Sequence, residues 1–486
     1  MKINLAMIVR NEERCLRRSL EAAASFVDDI IIVDTGSTDQ TKKIARSFGK
    51  TSGKCVLLYD FAWKNDFSAA RNFSLFKSET DGGADYSLVI DADERLRTTK
   101  LSNREELEAF IHRVEAEQTD NDTTSKSSDS GAEQKDSADI ASVDGADGNT
   151  AAADSEKQKS ETDTDASEAV SDAKVKKTAR GQGAWCGTVR LIEERKSRKG
   201  DPITCLTIVP RLLPRGVRYH GIICETPAIQ NANTRITDSQ SPDTNEAETQ
   251  DSDAEKDNVQ NTETGSSAIM TPLLVDHDTS DREARTERKL PYLIRAISME
   301  PEDPYWKLQI AVVLSGLQRT EESLPYFDEF YRMIKARYPD VTDQSEYREP
   351  YARQGILTYL YALDDMRGEK YRQRALHILL RQEPHMHNSA DFYFFCGEFF
   401  MELVQTRTQR YITYLPRVEQ SFVRCLQIGE NTEDSVVIGN GSFRAFYRLG
   451  VWYELTNQPQ HARACYESAA QMGYEPAVRR MGMYRR

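Results

Sequence analysis

The sequence contains no CxxC pair. Its eight cysteines, Cys15, Cys55, Cys186, Cys205, Cys224, Cys396, Cys425 and Cys465, stand apart. That spacing argues against a zinc knuckle or a thioredoxin-like site. Scattered through apolar segments, the cysteines are expected to be reduced, buried thiols of a cytoplasmic protein. No segment reaches the roughly 18 consecutive apolar residues of a membrane span. The opening run Ile3–Val9 is too short for a signal peptide. Apolar residues are scarce, at 38% with a mean hydropathy of -0.65, so part of the chain is not expected to pack. Positive charge is also in deficit. With a formal net charge of -14 a smooth basic face is not expected globally, although an acidic tail could mask a basic patch, and no nucleic-acid partner is expected.

What packs is organised in blocks. Ile3–Val9, Ile30–Val33, Cys55–Tyr59 and Tyr86–Ile90 read as short buried strands. Helical spacing over Glu12–Ala24, a helix ending at Phe48 and another over Phe67–Phe76 separate them. The turn Thr35-Gly36-Ser37-Thr38-Asp39 offers hydroxyls and a carboxylate to cap the second helix. Alternating strands and helices imply a parallel sheet with right-handed crossovers, whose ligands bind at the carboxyl ends of the strands. Asp34 and Asp91-Ala92-Asp93-Glu94 both fall at such ends.

Residues 118–180 and 230–267 are rich in Asp, Ser, Thr, Glu and Ala, with almost no large apolar side chains. Too little surface is available there to offset the entropy of ordering, so both are expected to be disordered acidic insertions. Between them, Thr188–Ile192, Leu206–Val209 and Arg218–Ile223 read as strands. The expected division is one catalytic domain of residues 1–117, 181–229 and 268–280, interrupted by the two insertions. Residues 281–486 form a helical domain. In Ser442–Met472 the positions of Phe446, Leu449, Gly450, Tyr453, Ala462, Tyr466 and Ala469 match tetratricopeptide spacing. Pro304–Phe330, Tyr351–Leu380 and Ser389–Leu426 are more degenerate helical pairs.

Two carboxylates one residue apart, just past a strand, can hold a divalent cation against a diphosphate, and hard oxygen ligands suit Mg²⁺ or Mn²⁺. Asp91-x-Asp93 has that form. Asp34 can accept a hydrogen bond from a base N–H or a ribose hydroxyl, and Gly36 lets the backbone approach a nucleotide. The same loop can equally serve only to cap the helix that follows. Arg71 suits phosphate oxygens, or a structural pair with Asp91 or Asp34.

Four motifs then occur in register: Met7-Ile8-Val9-Arg10-Asn11-Glu12-Glu13; Val33-Asp34-Thr35-Gly36-Ser37-Thr38-Asp39; Trp63 with Asp66-Phe67-Ser68-Ala69-Ala70-Arg71-Asn72; and Asp91-Ala92-Asp93-Glu94. Together they resemble the family 2 glycosyltransferases of GT-A fold, in particular the branch that joins this domain to tetratricopeptide repeats, to which the SunS-like peptide S-glycosyltransferases are similar. The resemblance implies an α/β, Rossmann-like GT-A catalytic domain followed by an all-α tetratricopeptide-like domain. It implies a metal-dependent, inverting transfer from a nucleotide-sugar, with UDP as the expected nucleotide, to a peptide, protein or glycan acceptor. By the resemblance, Glu12 and Asp34 contact the nucleoside, Arg71 the base or phosphate, and Asp91 the ribose. Asp93 is the ligand of a Mn²⁺ or Mg²⁺ ion, and His277 completes its shell. Pro210-Arg211-Leu212 and Tyr219–Glu225 resemble the family stretch that ends Gly-x-Ile-His-Glu, with Cys224 where the family has His. Glu225 is then the candidate general base, and His220 is a rival for its role or for that of His277. The helical repeats are expected to recruit the acceptor or a protein partner.

Two other functions compete. A degenerate transferase domain can serve as the platform of a tetratricopeptide adaptor, a reading motivated by Cys224. A nucleotidyltransferase also uses an α/β sheet with carboxylate-held Mg²⁺, but Ile8-Val9-Arg10-Asn11-Glu12 lacks the glycines of its phosphate loop.

Overall fold

A computed structural model describes residues 1–98, 101–127, 185–196, 200–224, 226–229, 268–278, 286–338, 347, 349–430 and 436–484. Met1–Glu108 and Ala184–Arg486 form one compact unit, and Ala109–Gly183 a second. In the first unit, strands β1 (Ile3–Val9), β2 (Ile30–Asp34), β3 (Val56–Asp60) and β4 (Tyr86–Val89) alternate with helices α1 (Leu16–Ala23), α2 (Thr41–Ser52) and α3 (Phe67–Thr80). Strands β1 to β4 pair in the order β3-β2-β1-β4, all parallel. Ile30–Val33 and most of Ile3–Val9 are buried, as continuous apolar runs covered on both faces must be. The one polar residue inside β1 is satisfied: Asn4 Nδ2 donates to the carbonyls of Ser78 and Gly82, and its Oδ1 accepts from Asp29 N.

The sheet is mixed beyond β4. Strand β5 (Glu94–Arg97) follows the Asp91–Asp93 turn. Strands β6 (Cys186–Lys196) and β7 (Pro202–Pro214) form a long antiparallel pair. Strand β10 (Ala268–His277) lies between β6 and β5, giving the order β3-β2-β1-β4-β7-β6-β10-β5. A small second sheet pairs β8 (Val217–His220) with β9 (Thr226–Ile229).

Several boundaries differ from expectation for local reasons. Helix α1 begins at Leu16 because the Glu12 carbonyl accepts from both Cys15 N and Leu16 N, closing a turn first. The second helix is braced by a carboxylate: Asp39 Oδ1 accepts from Thr41 N at 3.0 Å. Strand β8 stops at His220, since Gly221 (φ +90) turns the chain there. Helix α4 (Arg104–Ser127) carries regular backbone through residues 118–127, where disorder was expected. Residues 128–180 and 230–267 lie outside the described residues. Of the cysteines, Cys186, Cys205, Cys396 and Cys425 are buried and Cys15, Cys224 and Cys465 half-buried. Cys55 is exposed, because it precedes β3 instead of lying within it.

The helical region is built of antiparallel pairs. Helices α5 (Leu290–Met299), α6 (Pro304–Gly316), α7 (Thr320–Arg337), α8 (Pro350–Asp365) and α9 (Glu369–Gln382) are followed by α10 (Ala390–Thr406), α11 (Thr408–Tyr411) and α12 (Leu415–Ile428). The chain continues with α13 (Phe443–Leu455), α14 (Pro459–Gln471) and α15 (Glu475–Tyr484). Small residues set the close approach. A Cβ on Gly450 would sit 2.7 Å from the Tyr466 ring, and one on Gly397 2.6 Å from Phe422. The tetratricopeptide spacing of Ser442–Met472 therefore corresponds to α13 packed on α14. One strand interrupts the helices: β11 (Val436–Val437) pairs with β7 at Leu206 and Cys205.

Asp391 on α10 fastens that strand. It is 5% exposed, accepts from Val437 N at 3.0 Å and Asn440 Nδ2 at 2.7 Å, and burial raises its pKa to about 6. A folded-state pKa above the unfolded value favours the protonated native form. The corresponding stability is present below about pH 4 and lost as pH rises through 6. In urea melts, the unfolding free energy of Asp391→Asn relative to the parent is expected to increase by about 3 kcal/mol between pH 4 and pH 8.

Candidate functional site

The carboxyl ends of β1, β2 and β4 lie side by side, with Val9 opposite Asp34 and Ala6 opposite Val89. Two loops at this edge are laced together. Asn11 N donates to Ser37 Oγ, Thr38 N to Asn11 Oδ1, Glu12 N to Thr41 Oγ1 and Gln40 N to Glu13 Oε2, at 2.7–3.0 Å. Asp34 is buried. Its Oδ2 accepts from Gly36 N at 3.0 Å and Ser37 N at 2.9 Å and faces Lys42 Nζ at 3.4 Å. Its Oδ1 is buried with no hydrogen-bond partner among the described residues, a costly arrangement unless a ligand donor completes it. Gly36 holds φ +107, and a Cβ there would meet nothing within 4 Å, so the turn is open on that side. The Glu12 carboxylate faces its own helix, with Oε2 3.0 Å from Cys15 Sγ.

The turn after β4 is closed by its own acid, for Glu94 Oε2 accepts from Asp91 N at 3.0 Å and Glu94 N donates to Asp91 O. Asp91 is gripped from two sides. Arg71 Nη2 reaches Oδ1 at 2.8 Å, and Arg211 Nη2 reaches Oδ2 at 3.2 Å while also pairing with Glu94. Burial opposes ionisation of Asp91, but the two guanidinium groups hold its pKa well below the ordinary carboxylate range. Burial and the Asp91 charge push that of Glu94 up, against the pull of Arg211. Burial would lower the pKa of Arg211, yet Glu94 and Asp91 drive it above its usual value. Of the uses considered for Arg71, pairing with Asp91 is therefore present.

Asp93 belongs to a second cluster. His277 at the end of β10 places Nε2 3.1 Å from Asp93 Oδ2 and Nδ1 2.6 Å from Glu193 Oε1. The main chain holds the two segments together, with Asp278 N donating to Asp93 O at 2.9 Å. Asp93 and His277 can face one cation. Two ligands about 2.1 Å from an ion and at right angles are roughly 3 Å apart. A carboxylate with an imidazole suits Mn²⁺ better than Mg²⁺. No group of three His, Cys, Asp or Glu side chains converges on one point among the described residues.

The motif around Arg71 is largely structural. Asp66 caps α3 through Ala69 N at 2.9 Å. Asn72 makes a two-bond amide clamp on Tyr219, its Nδ2 donating to the carbonyl at 2.9 Å and its Oδ1 accepting from N at 2.7 Å. Phe67 N donates to Ile222 O, and Ser68 Oγ to Gly221 O. These bonds fix the loop that leads to Cys224. The helical region forms its other wall: Ile222 and Ile223 pack with Leu293, Trp306 and Ile310, and Tyr305 OH donates to Cys224 O at 3.2 Å. Cys224 holds φ +52 with Sγ 3.6 Å from Gln309 Oε1. His220, at the end of β8, is exposed. Glu225 lies outside the described residues.

The structure thus joins Asp91 with Arg71, joins Asp93 with His277, and puts Glu12 and Asp34 on the same sheet edge. Glu193, Glu94, Lys42 and Arg211 carry as much of the geometry but had no role assigned from sequence. Glu94 adjoins the DxD pair and could have been suspected. Glu193 and Arg211 come from an antiparallel pair whose register no local pattern announces.

Residues 5–120 match the family model described as Glycosyl transferase family 2. A domain of that family at the N-terminus is followed by a mainly helical region. Over 95 residues the chain is 40% identical to a TPR repeat-containing protein of Synechococcus elongatus. That stretch is 20% of this chain and spans 21% of the relative's length. Among solved structures, MamA is similar with a TM-score of 0.30 at 12% identity, over 41% of this chain and 96% of that one. S. aureus TarS in complex with UDP is similar with a TM-score of 0.20 at 20% identity, over 24% of this chain and 32% of that one. No helix among the described residues is long and apolar enough to cross a membrane.

Removing Arg211 leaves two carboxylates facing each other with Arg71 as their remaining cation. Arg211→Met is expected to cost about 3–5 kcal/mol at pH 8. Because Glu94 can then take up a proton, the deficit should shrink as pH falls towards 5. Denaturant melts across that range check this, and a pH-independent deficit would show that the charge network is not its origin.

Proposed function

We propose that the chain transfers a sugar from a nucleoside-diphosphate donor, with UDP as the favoured nucleotide, to a hydroxyl or thiol of a peptide, protein or glycan acceptor. The observation that carries this is the meeting of Asp93 with His277 at 3.1 Å, beside a sheet edge where Asp34 keeps an unpartnered buried oxygen. Asp93 and His277 would hold a Mn²⁺ or Mg²⁺ ion. Such an ion, when bound, neutralises charge on the departing diphosphate.

The chain's own residues have separable tasks. Asp34 and the open turn at Gly36 would receive the nucleoside. Arg71 and Arg211 hold Asp91, which keeps the turn bearing Asp93 in one conformation. In the transfer, the acceptor oxygen or sulfur forms its bond to the anomeric carbon as the bond to the diphosphate oxygen breaks. The acceptor proton passes to a carboxylate, and the electron pair leaves with the nucleoside diphosphate, so the anomeric centre inverts. Glu225 is the carboxylate that the sequence pattern nominates, with His220 as its rival. The helical repeats would bring the acceptor to the loop that ends at Cys224, since α6 already lines that loop.

The decisive experiment is titration calorimetry with UDP-glucose and UDP-N-acetylglucosamine, with and without Mn²⁺, together with an assay of donor hydrolysis. Metal-dependent binding and slow hydrolysis are expected. Asp93→Ala should lower hydrolysis by about 10²-fold or more, the effect of losing several kcal/mol of charge stabilisation. Absence of binding to either UDP-sugar would sink the enzymatic reading.

One observation favours a second reading, a transferase domain kept as the platform of a repeat adaptor. Where the family pattern has His, Cys224 turns its sulfur to Gln309 and its carbonyl to Tyr305. On that reading donor binding persists while hydrolysis and transfer are absent.

A further inference from the structure

Glu193 has no place in the reaction described above, yet it is buried, with its side chain 8% exposed. Its position follows from strand register. Strand β10 runs parallel to β6 with Asp276 opposite Ile192, so the next residues along, His277 and Glu193, are neighbours. On its other side His277 pairs with Glu94 of β5. The two oxygens of Glu193 are divided: Oε1 lies 2.6 Å from His277 Nδ1, and Oε2 is taken by Arg195.

A carboxylate accepts hydrogen bonds and cannot donate them, so Nδ1 of His277 carries the proton that fills this contact. Nε2 likewise donates to Asp93 Oδ2 at 3.1 Å in the metal-free protein, since that carboxylate cannot donate either. With a cation between Asp93 and His277, the Nδ1–H contact leaves Nε2 as the nitrogen whose lone pair faces the ion. A histidine ligand commonly has such a partner behind it, which fixes the tautomer and ring orientation and raises its basicity. We propose that Glu193 is the positioning residue of the cation site: it selects the His277 tautomer and aims Nε2 at the point shared with Asp93. The proposal rests on the cation reading of Asp93 and His277. Arg195, on the same strand, keeps the second Glu193 oxygen occupied and so leaves Oε1 to the histidine.

The test is the affinity of the full chain for Mn²⁺ in the presence of UDP, measured by calorimetry or by loss of the free Mn²⁺ paramagnetic signal. It needs no turnover. Glu193→Ala is expected to weaken Mn²⁺ binding by about 10- to 100-fold while leaving metal-free UDP binding unchanged. Glu193→Gln, whose amide oxygen can still accept from Nδ1, should recover most of that loss. Should Glu193→Ala fail to fold, Glu193→Asp carries the same prediction, because its shorter carboxylate cannot reach Nδ1. Rescue by Gln separates positioning from a purely structural role. Mn²⁺ affinity in Glu193→Ala within twofold of the parent, with His277→Ala defective, overturns the role of Glu193 alone. A parent chain that binds no Mn²⁺ with UDP overturns both this role and the cation site.

Discussion

The contact between Asp93 and His277 closes a span of 184 residues, and the α/β part of the molecule is arranged around it. Asp93 is fixed early, in a turn after the last of four parallel strands. His277 arrives from the far side of a 9-stranded sheet, at the end of a strand that must insert between β6 and β5. The main-chain bond from Asp278 to Asp93 and the side-chain bond from His277 to Glu193 then hold both partners to the same few ångströms. The proposed cation reading requires both ligands to be rigid before an ion arrives, and the sheet supplies that rigidity.

Charge is handled differently a residue or two away. Asp91 and Glu94 lie close together and mostly out of water, and they are tolerated because Arg71 and Arg211 are brought against them from α3 and β7. The DxD pair thus divides its labour. The first carboxylate is consumed in bracing the turn, and the second remains beside a histidine. The same economy appears in the stretch Asp66–Asn72, which combines the cap of α3, the Asp91 brace and the clamp on Tyr219. The helical region is part of this site as well as its neighbour. Trp306 approaches Gly221, Tyr305 holds the Cys224 carbonyl, and the short strand β11 adds to the edge of β7.

The parallel half of the sheet was legible in sequence because buried parallel strands are continuous apolar runs and their helices repeat between them. The helical pair at Gly450 and Tyr466 was legible because close helix packing demands a small residue under an aromatic one. The antiparallel half was less so. Strands β6 and β7 ran longer than their apolar cores suggested, and their polar positions, Glu193 and Arg211, take meaning only from register. Helix α4 extends past the point where composition implied disorder: low hydrophobicity argues against burial but does not by itself forbid a helical backbone. Glu225 rests on sequence pattern alone.

The most direct test of the cation seat is a crystal structure of the full chain with UDP and Mn²⁺, with anomalous data collected to locate the metal. The expected result is one anomalous peak about 2.1 Å from both Asp93 Oδ2 and His277 Nε2, with Nδ1 still on Glu193 and the diphosphate completing the shell. A metal bound elsewhere, or UDP bound while His277 stays directly hydrogen-bonded to Asp93, would contradict it.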